Sequence, residues 1–354
     1  MSFLEKFSLS VGIDLGTANT LMAVPGKGII FDEPTVIARQ KKKPGQPGKI
    51  FAFGKKAKKM SGREPQQIEV IEPLVDGAIA DFDAAVYFLK YLTSLAAELP
   101  SRWPRLLKPR AVVGVPTGIT GVEKRAVRSA ALSAGFARVF LVEEPMLTAI
   151  GVGLNIESAA GNLLVDIGGG TTEIAVVSLG GVVLNRYLKR AGREMDESIV
   201  NFLRMKYGVL IGLPTAEEIK IKIGSVLPVS KKDSGLEAIL VKGRDLETGL
   251  PKAIKITKEE IREALSPIAQ EIVAQVKEIL EETPPELSAD ISKRGIVLSG
   301  ACSLLEGMEQ LISQATKIPV WTAKNPNTSV VLGCVKLLEN EKLLKKIRIT
   351  GGIG

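Results

Sequence analysis

The sequence predicts an α/β protein built as two related halves, each a sheet with helices packed on it. Three observations predict it. First, "VGIDLGTANTLMAV" at 11–24 and "LLVDIGGGTTEIAV" at 163–176 both read strand, aspartate, glycine turn, strand. Second, the two align at one offset, pairing Asp14 with Asp166, Gly16 with Gly168, Thr20 with Thr172, and Ala23 and Val24 with Ala175 and Val176, as an internal duplication would. Third, a fainter echo of strand, glycine and helix links "VVGVPTGITGV" with "IVLSGACSLLEGM". At 354 residues the chain is long enough to give two domains a core each.

Taken in order, strand patterns open the chain at 9–14, 20–24, 28–31 and 36–38, separated by turns bearing Gly and Pro. A lysine- and glycine-rich insert runs on to about residue 73. "DFDAAVYFLKYLTSLAAEL" then has helical apolar spacing, with Asp81 as its N-cap. The strand "AVVGVP" follows. Its helix starts at Thr120, where Glu123 completes a capping box, and ends near Gly135. The second half opens alike, with strands at 163–166, 173–178 and 182–188. Helices come next at about 195–207 and 216–226, the latter with Thr215 and Glu218 as its capping box. Strand-like "LEAILV" and "AIKIT" precede a long helix after Thr257, with Glu260 in capping-box position. Its apolar Ile261, Leu265, Ile268, Ile272, Val276 and Ile279 keep helical spacing, and Pro267 predicts a kink or break. "GIVLSGACSLLEGM" closes the pattern as strand, glycine turn and helix.

Composition bounds the chemistry. Hydrophobic content of 45% with 24% charged residues is ordinary for a soluble globular protein, and no apolar run approaches the ~18 residues that cross a bilayer. The opening residues lack the cationic start and long apolar stretch of a secretory leader. Two cysteines, Cys302 and Cys334, make no disulfide framework, so a reducing, cytoplasmic setting is expected. Histidine is absent altogether. Histidine triads, histidine metal sites and imidazole relays are therefore excluded, and chemistry falls to carboxylates, hydroxyls, backbone amides and a metal ion. The net charge of +8 is concentrated at 39–49, 54–63 and 101–110, which suits an anionic partner such as nucleic acid or a membrane surface; solvated basic loops are the plainer reading.

A strand–glycine turn–strand gathers backbone N–H groups around one concavity, and glycine lets that backbone approach a ligand closely. Threonine hydroxyls add donors. The device is a phosphate cradle but neither a Rossmann turn nor a P-loop, because a strand follows each turn and no Gly-Lys-Ser/Thr occurs. An aspartate beside phosphates repels them unless a cation intervenes. Asp14 and Asp166, one from each half, are thus expected to face each other across a cleft and hold Mg²⁺ through water. Two hairpin turns with capping aspartates are the bland alternative.

The set "IDLGTANT", "EEPMLTAIGVG", "DIGGGTTEIAVVSLGG", "GIVLSGACSLLEGM" and "NPNTSVVLGCVKLL" resembles the five nucleotide-binding motifs of the actin, chaperone and sugar-kinase superfamily. Within it the chain resembles the MreB family of bacterial actins. The likeness runs from about residue 11 to 339 and takes in stretches outside the five motifs, such as "VDGAIADF", "KPRAVVGVPTGITGVEKRAV", "AGREMDESIV" and "TAEEIKIKIGS". It implies an actin-like fold with four subdomains around an ATP cleft: IA over 1–35, 74–154 and 324–354, IB over 36–73, IIA over 155–190 and 255–323, and IIB over 191–254. The phosphate loops would be Gly16, Thr17, Ala18 and Asn19, and Gly168, Gly169, Gly170 and Thr171, with Asp14 and Asp166 serving Mg²⁺ and its waters. Glu144, the second acid of "EEP", matches the residue that positions the attacking water, in preference to Glu143. Glu217 and Lys220, on one face of a helix, match the purine- and ribose-side contacts, and Gly300, Ala301, Cys302 and Ser303 would pass under the adenosine. The family usually has three glycines there. Ala301 and Cys302 put two side chains where bare backbone is expected, which bears on nucleotide affinity and base selectivity.

The resemblance further implies a weak, filament-stimulated ATPase whose main role is structural. Its partners would be copies of itself, the inner face of the cell membrane and cell-wall elongation proteins, with no nucleic acid, and its place cytoplasmic and peripheral to that membrane. "SRWPRLLKPR" joins Trp103, Leu106 and Leu107 to four basic residues, a composition that suits insertion at an anionic lipid surface. The family's apolar membrane loop falls at Leu106 and Leu107; packing of these leucines on their own domain is the alternative. "MSFLEKFSLS" offers Phe3, Leu4 and Phe7 as a second anchor, against a disordered start or a first strand. A filament that positions plasmids or magnetosomes shares most of this pattern. A sugar or acetate kinase needs a further catalytic base that the sequence does not display, and a chaperone needs a peptide-binding domain beyond about residue 350. Nucleic-acid binding ranks last, because the basic clusters lack interleaved aromatics.

Overall fold

The computed structural model describes residues 9–41, 48–99, 108–228 and 238–350, with backbone alone for 348–350. It divides into two compact units, one of Met1–Ala160, Ala175–Tyr187 and Asn327–Gly354 and one of Gly161–Ile174 and Leu188–Pro326. Trp103, Leu106 and Leu107, together with Phe3, Leu4 and Phe7, lie outside the described residues, as does 42–47 of the basic insert.

The chain begins with β1 (Ser10–Leu15), β2 (Asn19–Val24), β3 (Gly28–Pro34), β4 (Ile37–Gln40), β5 (Ile50–Phe53), α1 (Gly54–Lys58), β6 (Ile68–Ile71), β7 (Leu74–Val75) and β8 (Ala78–Ile79). Then come α2 (Phe82–Glu98), β9 (Arg110–Val115), α3 (Gly121–Ser133), β10 (Arg138–Glu143) and α4 (Glu144–Val152). The main sheet has the order β10-β9-β1-β2-β3. β1, β9 and β10 run parallel, so Asp14, Gly114 and Val142 stand in one row near their carboxyl ends. Alternate residues of these strands, among them Val11, Ile13, Val113 and Leu141, pack against Phe88, Leu89 and Leu92 of α2 and Val127 and Ala131 of α3. The lysine-rich insert is not a plain loop: β4 is the centre of a three-stranded sheet with β5 and β6. Buried Arg39 ties that sheet to α2. Its Nε donates to Glu69 at 2.6 Å and its Nη2 pairs with Asp81 at 2.8 Å, while the other Asp81 oxygen accepts the Ala84 N–H and caps α2.

The chain continues with β11 (Asn162–Ile167), β12 (Thr172–Ser178), β13 (Gly181–Leu188), α5 (Gly192–Tyr207), β14 (Val209–Leu210), α6 (Leu213–Ile223), β15 (Ala238–Asp245) and β16 (Pro251–Thr257). It ends with α7 (Lys258–Glu282), α8 (Pro285–Arg294), β17 (Ile296–Ser299), α9 (Met308–Thr316), β18 (Val320–Thr322), α10 (Ser329–Glu339) and α11 (Glu341–Thr350). The second five-stranded sheet, β13-β12-β11-β17-β18, repeats the order of the first. β11, β17 and β18 are parallel, with Asp166 opposite Ser299.

Capping boxes form at Thr120 with Glu123 and at Thr257 with Glu260, as expected. Thr215 and Glu218 form none. α6 starts a turn earlier, at Leu213 after Gly212, because Pro214 suits a first helical turn, where its missing N–H costs nothing. Pro267 breaks no helix either: α7 runs through it, burying Ile261, Leu265, Ile268, Ile272, Val276 and Ile279 on one face. Pro267 and Glu263 both lie on the exposed face, where water can serve the carbonyl that proline leaves unbonded. Among the described residues no helix is long and apolar enough to cross a membrane.

Candidate functional site

In the first unit the sequence-predicted residues gather at the carboxyl ends of β1, β9 and β10, the edge where open α/β sheets bind ligands. The turn after β1 is tight enough that a Cβ on Gly16 would sit 2.5 Å from the Asn19 carbonyl oxygen and 3.7 Å from Asp14 Oδ1. The Gly16 carbonyl accepts the Thr35 hydroxyl at 2.6 Å, and the Ala18 carbonyl accepts the Thr35 N–H at 3.0 Å. In a trans peptide the N–H points opposite to the preceding C=O, so the amides of Thr17 and Asn19 turn away from Thr35. Thr17 Oγ1 accepts the Gly77 N–H at 2.9 Å, which braces the loop on the β7–β8 turn.

Glu144 opens α4 beside this loop. A Cβ on Gly114, the ladder neighbour of Asp14, would stand 3.4 Å from Glu144 Cγ. Burial of the Cys334 thiol beneath β1 pushes its pKa well up, and the negative charges of Asp14 and Glu144 push it further. Both acids therefore border one small region. Glu143 is differently employed: Lys124 of α3 pairs with it at 3.3 Å.

The second unit repeats the arrangement after β11. Gly168 N–H donates to the Thr171 carbonyl at 2.9 Å and closes the turn. The first amides of α5 take up the loop's carbonyls, Gly192 N–H donating to Gly168 and Arg193 N–H to Gly169, the latter at 2.7 Å. By the same peptide geometry the amides of Gly169 and Gly170 point away from α5. Gly300 follows β17 with φ +81°, and a Cβ there would strike the Ile167 carbonyl and lie 2.6 Å from Asp166 Oδ1. Only glycine fits.

Lys220 of α6 donates to the Gly192 carbonyl at 2.8 Å and pairs with Asp196 at 2.8 Å. Cys302 lies against them: a Cβ on Gly192 would be 2.7 Å from its sulfur and 3.2 Å from Lys220 Nζ. Burial raises the Cys302 pKa, Lys220 opposes the rise, and the charges of Asp196, Glu217 and Asp166 support it. Asp166, Gly168, Glu217, Lys220, Gly300 and Cys302 thus share one neighbourhood. Ser303 turns inward, its hydroxyl donating to the Gly300 carbonyl at 2.7 Å, and Ala301 is exposed.

Sequence reasoning misses Gly192 and Asp196, which lie in "AGREMDESIV", and Gly77 in "VDGAIADF", because neither stretch carries a recognisable ligand-binding pattern. The available signal was the glycine opening α5, a place where helix amides and loop carbonyls meet. Among the described residues no group of three or more acidic or cysteine side chains is arranged to hold a metal by itself.

The chain matches the family described as MreB/Mbl protein over residues 8–346. It is 45% identical over 340 residues to the cell shape-determining protein Mbl of Bacillus cereus, covering 96% of this chain and 98% of that one. It is also 45% identical over 341 residues to the cell shape-determining protein MreB of Escherichia coli K12, covering 95% of each. Among solved structures it is similar to MreB5 of Spiroplasma citri bound to ADP, with a TM-score of 0.86 at 34% identity over 96% of this chain and 98% of that one.

Proposed function

The chain belongs to the MreB/Mbl family of actin-like cytoskeletal proteins, and from that premise we propose that it binds ATP with Mg²⁺, hydrolyses it slowly, and assembles into filaments on the inner face of the cell membrane that organise cell-wall synthesis. One observation carries the nucleotide reading: in each unit a strand-end aspartate stands beside a loop whose carbonyls are tied back and whose amides face out. Thr17, Ala18 and Asn19 with Gly16, and Gly169, Gly170 and Thr171 with Gly168, take the phosphates. Gly300 to Ser303 underlie the adenosine, and Glu217 and Lys220 border the base and ribose. Lys220, already committed to Asp196, contributes its alkyl stem and shape more than a free charge.

Mg²⁺, when bound, neutralises phosphate charge. Asp14 and Asp166, as hard oxygen donors, are the residues that would hold it through water. Glu144 accepts a hydrogen bond from the attacking water and orients it, a role that needs positioning rather than histidine chemistry. Relatives named for cell shape support the cytoskeletal role.

Sedimentation with and without ATP and anionic liposomes tests the whole reading. ATP-dependent pelleting and recovery with liposomes are expected; failure of both would overturn it. Glu144→Ala is expected to retain nucleotide but hydrolyse it about 100-fold more slowly. Unaltered turnover would assign the chemistry to another acid.

A further inference from the structure

Resting on the reading of Glu144 above, we propose that Lys336 and Gly333 of α10 are positioning residues for that carboxylate, acting through α4, which bears Glu144 in its first turn. α4 and α10 cross backbone on backbone. A Cβ on Gly151 would collide with the Ser329 carbonyl oxygen, and one on Gly333 with the Leu147 carbonyl oxygen. The contacts are reciprocal and one turn apart on each helix, so neither helix can slide or roll without losing both.

Lys336, nearly a turn beyond Gly333, donates to the carbonyls of Ile150 and Gly151, each at 2.9 Å. These belong to the last turn of α4, whose carbonyls a helix cannot satisfy alone and whose partial negative charge attracts an ammonium. α4 is thus pinned at its middle and at its far end.

α10 is itself seated on the sheet that holds Asp14. A Cβ on Gly12 would be 2.6 Å from Cys334 Cβ, and one on Gly114 would be 2.9 Å from Val330 Cγ1. The Cys334 sulfur approaches the Ile13 carbonyl at 3.7 Å. One helix therefore touches both the strand that carries Asp14 and the helix that starts with Glu144, and it sets their separation. The neighbouring Glu143 is held separately by Lys124.

Single-turnover hydrolysis measured beside nucleotide affinity tests this. Gly333→Ala must push α4 outward, and misplacement by an ångström is expected to lower the hydrolysis rate about 10- to 100-fold. Affinity should stay within about twofold, the split that loss of a purely transition-state contact produces. Lys336→Met is expected to lose rate to a lesser degree, and Lys336→Arg to restore it, since a guanidinium can serve both carbonyls. Gly243→Ala in β15, where a Cβ would lie 2.6 Å from the Leu210 carbonyl oxygen of β14, is a matched destabilised control expected to keep the wild-type rate. If Gly333→Ala does not fold, the two Lys336 variants decide. The proposal is overturned if Lys336→Met hydrolyses normally, if Lys336→Arg restores nothing, or if Gly243→Ala loses as much rate. Glu144→Ala in the same assay separates the failures: fast turnover there sinks the role of Glu144, whereas slow turnover with normal α10 variants sinks only the positioning.

Discussion

The Tyr207 hydroxyl donates to Glu260 Oε1 at 2.5 Å, Lys206 reaches the same oxygen at 2.9 Å, and the Thr257 N–H holds the other oxygen at 2.8 Å. Burial resists the charged carboxylate, but the bonds from Tyr207, Thr257 and Lys206 outweigh it and bring Glu260 down to about 2. The same Glu260 bond, helped by burial, pushes Tyr207 up to about 12. A carboxyl depressed on folding adds stability above its unfolded value of 4.5, and that contribution is lost as pH falls toward about 2. The tyrosine contribution runs the other way, full below 10 and lost as pH rises through about 12. Tyr207→Phe is expected to cost about 1–2 kcal/mol near neutral pH and to flatten the acid limb between pH 4.5 and 2 in denaturant unfolding. An unchanged acid limb would deny the bond its weight. At this scale the position of the aspartates and glycine loops near strand ends was legible, because the strand–glycine–strand pattern places them there. Asp196 was not legible, because its importance comes only from the distant Lys220 that folding brings to it.

Elements were legible where local chemistry and burial agree, as at Thr120 and Thr257, whose capping boxes precede amphipathic runs. They were misread where a second local preference competes. At α6 the proline preference for a first turn outweighed the Thr215 and Glu218 pattern. At α7 the buried face from Ile261 to Ile279 outweighed the intrinsic cost of Pro267. That cost remains in the fold, so Pro267→Ala is expected to stabilise the second unit by up to about 3 kcal/mol, raising its melting temperature while nucleotide binding stays as it is. A lowered melting temperature would mean that the proline ring packs usefully. In the insert, lysines at 55, 56, 58 and 59 hid the short alternations of β5 and β6, which pair across β4 and carry little pattern of their own.

Across the whole molecule, the duplication read from one pair of turns extends to entire sheets, since β10-β9-β1-β2-β3 and β18-β17-β11-β12-β13 share an order. Under the proposed function, membrane attachment would belong to this scale as well, because many weak contacts would add along a filament. Replacing Leu106 and Leu107 by glutamate is expected to abolish recovery with anionic liposomes while ATP-dependent pelleting persists; retained lipid binding would move the anchor elsewhere. The loop carbonyls tied to Thr35, and to Gly192 and Arg193, have a consequence for timing. An anion arriving at either loop finds its donors already aimed, so little ordering entropy is spent on capture. Under the proposed nucleotide role, how long a bound phosphate stays would then be governed by the strength of those contacts rather than by any cost of reordering the loops.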